Sequence, residues 1–462
     1  MKKSLLVAVI LLQNAFLFSQ KKRADNWFFG NNAGVSFATG TPTAISGNAM
    51  STPEGCSTIS DTSGIILFYT DGNNVWNKNN VLMPNGTGLL GGNSCTQAAL
   101  IVPFPGIYNK YYIFTNDEIG GVNGLRYSEV DMNLAGGLGN VTATKNVFVA
   151  NNLTEKLTVV KDPFSNRYWI CVHEWGNNIF RAYPFTTSGL LAPVTSTIGA
   201  IHSNAQIQNT YGQMKFNACG SKLALAIGYQ NTIELFDFNT NTGIVTNAIT
   251  LPMTDKVYGV EFSPNSMVLY VSCYDPFMTL LQFDISSGVQ LTIQTSQVIL
   301  STTPSIYGIQ QANDGKIYVC KSFDQFLGMV NNPNTVGTGC NYVDPGVDLD
   351  PLSLGIISAL GMPCFVQSYF GNGQACPFPT GIQENNLQNN FSVYPNPSAG
   401  EFSLTLKENS SVTVYSCTGE MIEQFSDLKK ENISLGKSYS SGIYFVKVNS
   451  PNGNSTLKIV KE

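Results

Sequence analysis

Charge is scarce in this chain of 462 residues: Asp, Glu, Lys and Arg together make up 12% of it. There are two histidines, His173 and His202. That count excludes a zinc centre built from three histidines, and no HExxH is present. No GxSxG elbow occurs, which removes the usual frame for a Ser-His-Asp hydrolase. Beyond residues 21–23, Lys and Arg never cluster, and the net charge is −5. Nucleic acid and anionic membrane surfaces are therefore poor partners. Ten cysteines are spaced widely, with no CxxC, so this is not a cysteine-framework fold. After the N-terminus no apolar run is long enough to cross a bilayer, so no transmembrane segment is expected in the mature chain. No cofactor and no resident metal is called for by this inventory.

What is present points to an exported β protein. Residues 1–20 read as a signal peptide: MKK is a positive start, SLLVAVILLQNAFLF an apolar stretch, and Ser19 or Gln20 a cleavage point. Glycine accounts for 43 residues, and Asn, Ser and Thr are abundant, the composition of a turn-rich and strand-rich chain. Hydrophobic content of 43% is enough to bury a large core.

The middle of the chain repeats. A unit resembling YGVEFSPNSMVLYVSCYDPFMTLLQFDISSG recurs, with an apolar strand, a tight turn, a second strand, a third ending in an Asx-rich turn, and a looser fourth. Three first strands begin alike, at Tyr211-Gly212, Tyr258-Gly259 and Tyr307-Gly308. Third strands pass through Trp76, Val130, Tyr183, Phe236, Phe283 and Val330, in steps of 54, 53, 53, 47 and 47 residues. That period suits four-stranded propeller blades. An unpaired first strand at 355–360 and unpaired strands at 26–30 and 34–37 would join as one blade and close the ring. The expected fold is an all-β, seven-bladed β-propeller over residues 24–366, with six or eight blades also open. Residues 367–390 read as a Gly- and Pro-punctuated linker.

Alternating segments after 391 read as a small C-terminal β-sandwich. Its YPNPSAGEF opening, VTVYSCTGE, SGIYFVKV and LKIVKE resemble the type A C-terminal sorting domain of the type IX secretion system of Bacteroidetes. The resemblance covers 391–462 and implies sorting-signal roles for Tyr394, Pro395, Asn396, Pro397, Gly400, Gly419, Gly442 and Tyr444. It further implies the type IX secretion machinery as a partner, and a released or surface-attached cargo. From Asn26 to Pro363 the order NWFFGNNAGVSF, EGCSTISDTSGIILFYTDGNNVWN, MPNGTGLLGG and TQAALIVPFPG resembles a propeller family of secreted Bacteroidetes proteins. Later blades look WD40-like or lactonase-like. That likeness implies architecture more than chemistry.

Polar residues on the innermost strands of a propeller tend to face its channel. Glu54, Gln97, Glu155, Lys156, Lys215, Glu261 and Gln310 are therefore candidates for a polar funnel that binds a small ligand, against the alternative that they satisfy one another. No catalytic set is assigned. His173-Glu174 is a candidate acid/base pair or, more simply, an exposed blade-end histidine. Asp344, Asp348 and Asp350 offer oxygen ligands for Ca²⁺ or form an ordinary acidic loop. Trp76, Tyr108, Trp175 and Tyr274 are candidates for stacking on sugars, or core aromatics. Cys171, Cys273 and Cys320 read as buried thiols. Cys56 could pair with Cys95, and a Cys364–Cys376 disulfide would clamp the end of the ring.

Three functions follow. The favoured one is a non-catalytic binding or adhesion propeller presenting loops to an extracellular glycan or protein, on the secreted or outer-surface side of the cell. The alternative is a hydrolase or lyase of polysaccharide or lactone, which requires carboxylates such as Glu155 and Glu261 to converge. A third is a structural part of surface or gliding machinery.

Overall fold

A computed structural model of the protein describes residues 20–275, 277–371, 391–407, 409–417, 420–429, 432–450 and 453–462. The expected signal peptide, most of the expected linker, Gly419 and Cys376 lie outside the described residues. The chain divides into two units, Met1–Cys376 and Pro377–Glu462.

Among the described residues the first unit holds seven antiparallel sheets in chain order. The first is Asn26–Phe29, Ala33–Ser36 and Thr43–Ala44. The other six begin with the strands Ser57–Ser60, Ala99–Pro103, Leu153–Lys161, Met214–Phe216, Lys256–Phe262 and Ile306–Gln311. Each of these pairs with the next strand in sequence, as in Met214↔Leu225 and Val260↔Val271. These inner strands are buried on both faces, so burial runs nearly without break along them and takes in polar residues such as Glu155, Lys156, Lys215 and Glu261. Tight turns return the chain, as where Gly220 (φ 78°) donates its N–H to the Asn217 carbonyl.

The inner strands start at a common end and touch one another there. Gly55 N–H reaches the Cys95 carbonyl, Gln213 N–H the Tyr258 carbonyl, Gly308 N–H the Leu360 carbonyl, and Leu360 N–H the Pro53 carbonyl. This explains the recurring glycine. A Cβ on Gly259 would lie 2.6 Å from the Tyr307 carbonyl oxygen, and one on Gly361 2.4 Å from that of Glu54. Only a residue without a side chain lets neighbouring strands approach so closely. Sheets arranged radially with their first strands innermost make a β-propeller.

Residues 355–360 do not form the continuous strand that the repeat predicts. Their one ladder contact is Ile357, which bridges Asn31 and Asn32. The next ten residues instead run down the middle of the ring. Cys364 N–H bonds the Cys56 carbonyl, Val366 bridges Val159, and Gln311 Nε2 reaches the Phe370 carbonyl. Three different inner strands thus hold one segment. The linker expected from residue 367 accordingly starts later: Gln367–Phe370 is a 3₁₀ turn in which Gln367, Tyr369 and Phe370 are buried.

The cysteines correct the sequence reading. Cys56, Cys95 and Cys364 are free, buried thiols, so Cys56 is not joined to Cys95, and Cys364 is not joined to Cys376. Cys219 is disulfide-bonded.

The second unit is a sandwich. One sheet holds Phe391–Tyr394, Phe402–Leu406 and Asn432–Leu435, the other Ser410–Ser416, Met421–Leu428, Gly442–Ser450 and Gly453–Lys461. Phe402, Leu404, Val412, Val414, Val446 and Ile459 fill the space between them. The YPNP opening docks on the last strand: Asn396 Oδ1 accepts from Val460 N–H at 2.9 Å, and Asn396 Nδ2 donates to the Lys458 carbonyl at 2.8 Å. Lys461 Nζ in turn caps the carbonyls of Ala399 and Gly400. Gly442 pairs with Lys461, the Tyr444 hydroxyl donates to the Ser440 carbonyl, and Tyr394 is 78% exposed.

Candidate functional site

The expected funnel residues are all buried, and most are engaged within the protein. Lys215 Nζ donates to Glu261 Oε2 at 2.7 Å, to Gln310 Oε1 at 2.8 Å and to the Ile309 carbonyl, tying three inner strands together. Glu261 also accepts the backbone N–H groups of Phe262 and Gln311. Gln97 Nε2 donates to the Met214 carbonyl while its Oε1 accepts from Met214 and Leu157 N–H. Glu155 accepts from Thr96 twice and from Ile119 N–H, and Lys156 Nζ donates to the Thr210 and Tyr211 carbonyls. Burial holds the Glu155 carboxyl above its usual value and lowers the Lys156 amine to about 7. These groups fasten the ring. Glu155 and Glu261 share no partner, and each is held by hydrogen bonds within the protein.

Glu54 differs, because one of its partners is the hydroxyl of an exposed side chain. Its Oε1 accepts from the Tyr258 hydroxyl at 2.7 Å, and its Oε2 from the hydroxyl of the exposed Ser94. Glu118 Oε2 accepts Ser94 N–H at 2.8 Å, so two carboxylates meet on one serine. Burial, then the nearby Glu155 charge, raise the Glu54 carboxyl to about 7. Glu54 precedes Gly55 as Tyr211, Tyr258 and Tyr307 precede their own glycines, so these four side chains occupy equivalent places around the mouth.

Tyrosines extend the mouth outward. Tyr258 meets Tyr307 edge-on at 5.4 Å between ring centres, and Tyr307 stacks on Tyr274 at 5.7 Å. The Tyr274 hydroxyl is buried with no hydrogen-bond partner within the protein. Tyr229 lies 6.5 Å from Tyr274 and carries Lys256 Nζ over its ring at 4.1 Å. Loops that follow the second strands share this end, since antiparallel pairing sets Asp275 beside Lys256 and Lys321 beside Ile306. Those loops expose Phe277 (68%) and Phe323 (70%). They also hold Ile119, Met278 and Phe323 at φ of 48°, 46° and 56°. Among the described residues the remaining non-glycine residues at positive φ are Asn, which tolerates that region, or the small Ser and Ala.

The other sequence candidates resolve against a site. His173 is not an exposed blade-end residue. It is fully buried, its Nδ1–H bonds the Glu174 carbonyl at 2.6 Å, and its ring stacks on His202 at 3.8 Å. Glu174 is engaged by Arg181 at 2.5 Å. Asp344 pairs with Lys321 at 2.7 Å, Asp348 accepts from Gln325, and Asp350 accepts three backbone N–H groups, so the acidic loop satisfies itself. Trp76 is a core aromatic stacked on Tyr69. Of the four proposed sugar-stacking aromatics, two lie at the mouth end: Tyr274, in the tyrosine cluster, and the half-buried Trp175, which follows the strand ending at Glu174 and packs against Gly120. Sequence reasoning missed Ser94, Glu118, Phe277 and Phe323. The Tyr-Gly starts were visible, as marks of the repeat.

Residues 392–462 match the secretion system C-terminal sorting domain family. The protein is cargo of the type IX secretion system, secreted or held at the outer cell surface. Among the described residues no helix is long and apolar enough to cross a membrane. No curated protein matches the chain. Among solved structures it is similar to a putative 6-phosphogluconolactonase from Bacteroides uniformis, at 14% identity and a TM-score of 0.37, covering 82% of this chain and 98% of that one. The periplasmic gluconolactonase PpgL of Pseudomonas aeruginosa gives 14% and 0.38, with coverage of 76% and 96%. Hydrazine synthase of Kuenenia stuttgartiensis gives 15% and 0.33, covering 50% of this chain and 62% of that one. TM-scores this low carry no argument about activity.

Proposed function

We propose that the propeller is a binding module whose working face is the end bearing Glu54, the tyrosine cluster and the loops of Phe277 and Phe323, and that it engages an extracellular glycan or protein. One observation carries the reading. Among the described residues, bulky side chains held at positive φ, each at a cost of roughly 1–2 kcal/mol, occur only in loops of that end. Two loops there also expose phenylalanines that stability alone would bury. The opposite end exposes Tyr108 and Phe164, but neither stands at positive φ. Strain and exposed aromatics in the same loops suit a surface selected for contact.

The test compares Phe277→Ser/Phe323→Ser with Tyr108→Ser/Phe164→Ser in surface pull-downs and glycan arrays. Binding is expected to fall at least tenfold in the first variant and to persist in the second. The reverse pattern would refute the assignment of the face.

A further inference from the structure

The charges around the mouth restrict what it can take. Glu54, Glu118 and Glu155 place three carboxyl groups there, near enough that the charges of Glu155 and Glu118 both raise the Glu54 carboxyl. Among the described residues the cations of that end are engaged: Arg181 by Glu174, and Arg126 by the Asn123 and Asn146 carbonyls. Lys156 is buried against the Thr210 and Tyr211 carbonyls, Lys256 pairs with Asp275 at 2.5 Å, and Lys321 pairs with Asp344. An anionic ligand would meet carboxylates, while the cations are already bonded to carboxylates or carbonyls of the protein.

Chemistry for an uncharged polyol is present. Tyr274 and Tyr307 offer stacked rings, whose faces suit the C–H faces of a pyranose. Ser94 Oγ is exposed beside Glu54, and the Tyr274 hydroxyl has no partner within the protein. A buried hydroxyl left without a partner is destabilising, and a sugar hydroxyl would relieve it.

We infer that the mouth binds an uncharged sugar unit of an extracellular glycan and rejects uronates and sulfated sugars. This rests on the binding-face reading above and names its ligand class. The tyrosine stack supplies affinity, and Ser94, Glu54 and Tyr274 read the hydroxyls.

The experiment uses the mature chain in calorimetric titrations at about pH 8 and low salt, with cellohexaose, chitohexaose and mannan as neutral probes, and polygalacturonate and heparin as anionic ones. At least one neutral probe is expected to bind, weakened tenfold or more by Tyr307→Ala. Tyr274→Phe, which removes only the unpartnered hydroxyl, should weaken it about threefold while leaving the fold intact. Binding of an anionic probe that Tyr307→Ala abolishes would overturn the inference, as would no neutral probe bound or neutral binding indifferent to both variants. If the sugar class falls in this way while Phe277→Ser/Phe323→Ser still abolishes capture of a surface protein, the binding face stands alone. If that capture is also unaffected, both fail.

Discussion

The stacked pair His173 and His202 makes the propeller acid-sensitive by an amount that can be worked out. Both rings are fully buried, and His173 Nε2 and both nitrogens of His202 have no hydrogen-bond partner within the protein. Burial, reinforced by the Lys156 charge, lowers His173 from 6.5 to about 3. Burial and then His173 itself push His202 well below its usual value. Folded values below unfolded ones mean that the stability is present above the unfolded value and is lost as pH falls toward the folded one. At about pH 5 the cost depends almost entirely on the unfolded chain, which protonates while the fold does not. It comes to about 2 kcal/mol per histidine, or about 4 kcal/mol for the pair. Glu54 acts in the opposite direction. Its folded value, about 7 against 4.5, gives stability that is present at low pH and lost as pH rises through 7. The wild-type profile alone therefore mixes two effects. His202→Phe separates them, because it keeps a stacked ring and removes two unpartnered nitrogens. Urea denaturation at about pH 7.5 and about pH 5 should show wild type losing about 2 kcal/mol more than the variant. Parallel profiles, within a few tenths of a kcal/mol, would show that these histidines do titrate in the fold and would refute the reasoning.

Four further outcomes are expected. Lys215→Met strands Glu261 in a dry interior and should cost about 3–5 kcal/mol in chemical denaturation, because an uncompensated buried charge remains. Phe323→Gly should raise stability by about 1 kcal/mol through relief of the positive φ, while ligand capture falls; a loss of stability would contradict the strain argument. Deleting residues 391–462 should leave the propeller resistant to limited proteolysis, whereas deleting from residue 361 onward should unfold it, since that removes the segment held by Cys56, Val159 and Gln311. Non-reducing peptide mapping should recover Cys219 in a disulfide-linked peptide, with Cys56, Cys95 and Cys364 as free thiols.

The propeller was legible because its signals are local. A tight turn after each inner strand and a period near fifty residues can be read along the chain, and the Tyr-Gly starts mark where strands must nearly touch. The sandwich was legible for the same reason, and its two motif ends prove to be partners, since Asn396 and Lys461 each bind the backbone at the other end of the domain. The course of residues 361–370 was not legible. Nothing in MPCFVQSYF separates a segment threading the ring from a linker leaving it; the difference lies in contacts with strands up to three hundred residues earlier.

The candidate site was legible by position and misread by role, and the reason is physical. A polar residue on an inner strand faces the middle of the ring, as the sequence implies. Whether it meets water there depends on how much backbone and side chain fills that middle, which is a property of all the blades together. With 361–370 in the centre, Lys215, Glu261, Gln310 and Gln97 became cross-links, because a buried ion must be paired or it destabilises the fold. Glu54 kept an exposed hydroxyl as a partner, that of Ser94. The feature that distinguishes the proposed working end is instead backbone strain at Ile119, Met278 and Phe323. Strain leaves no mark in composition, since nothing in a sequence says that a phenylalanine will stand at a φ that favours glycine. Of the tyrosines that mark the register of the repeat, Tyr258 is buried, while Tyr307 is half-buried and stacks on Tyr274, so the proposed second role falls to Tyr307.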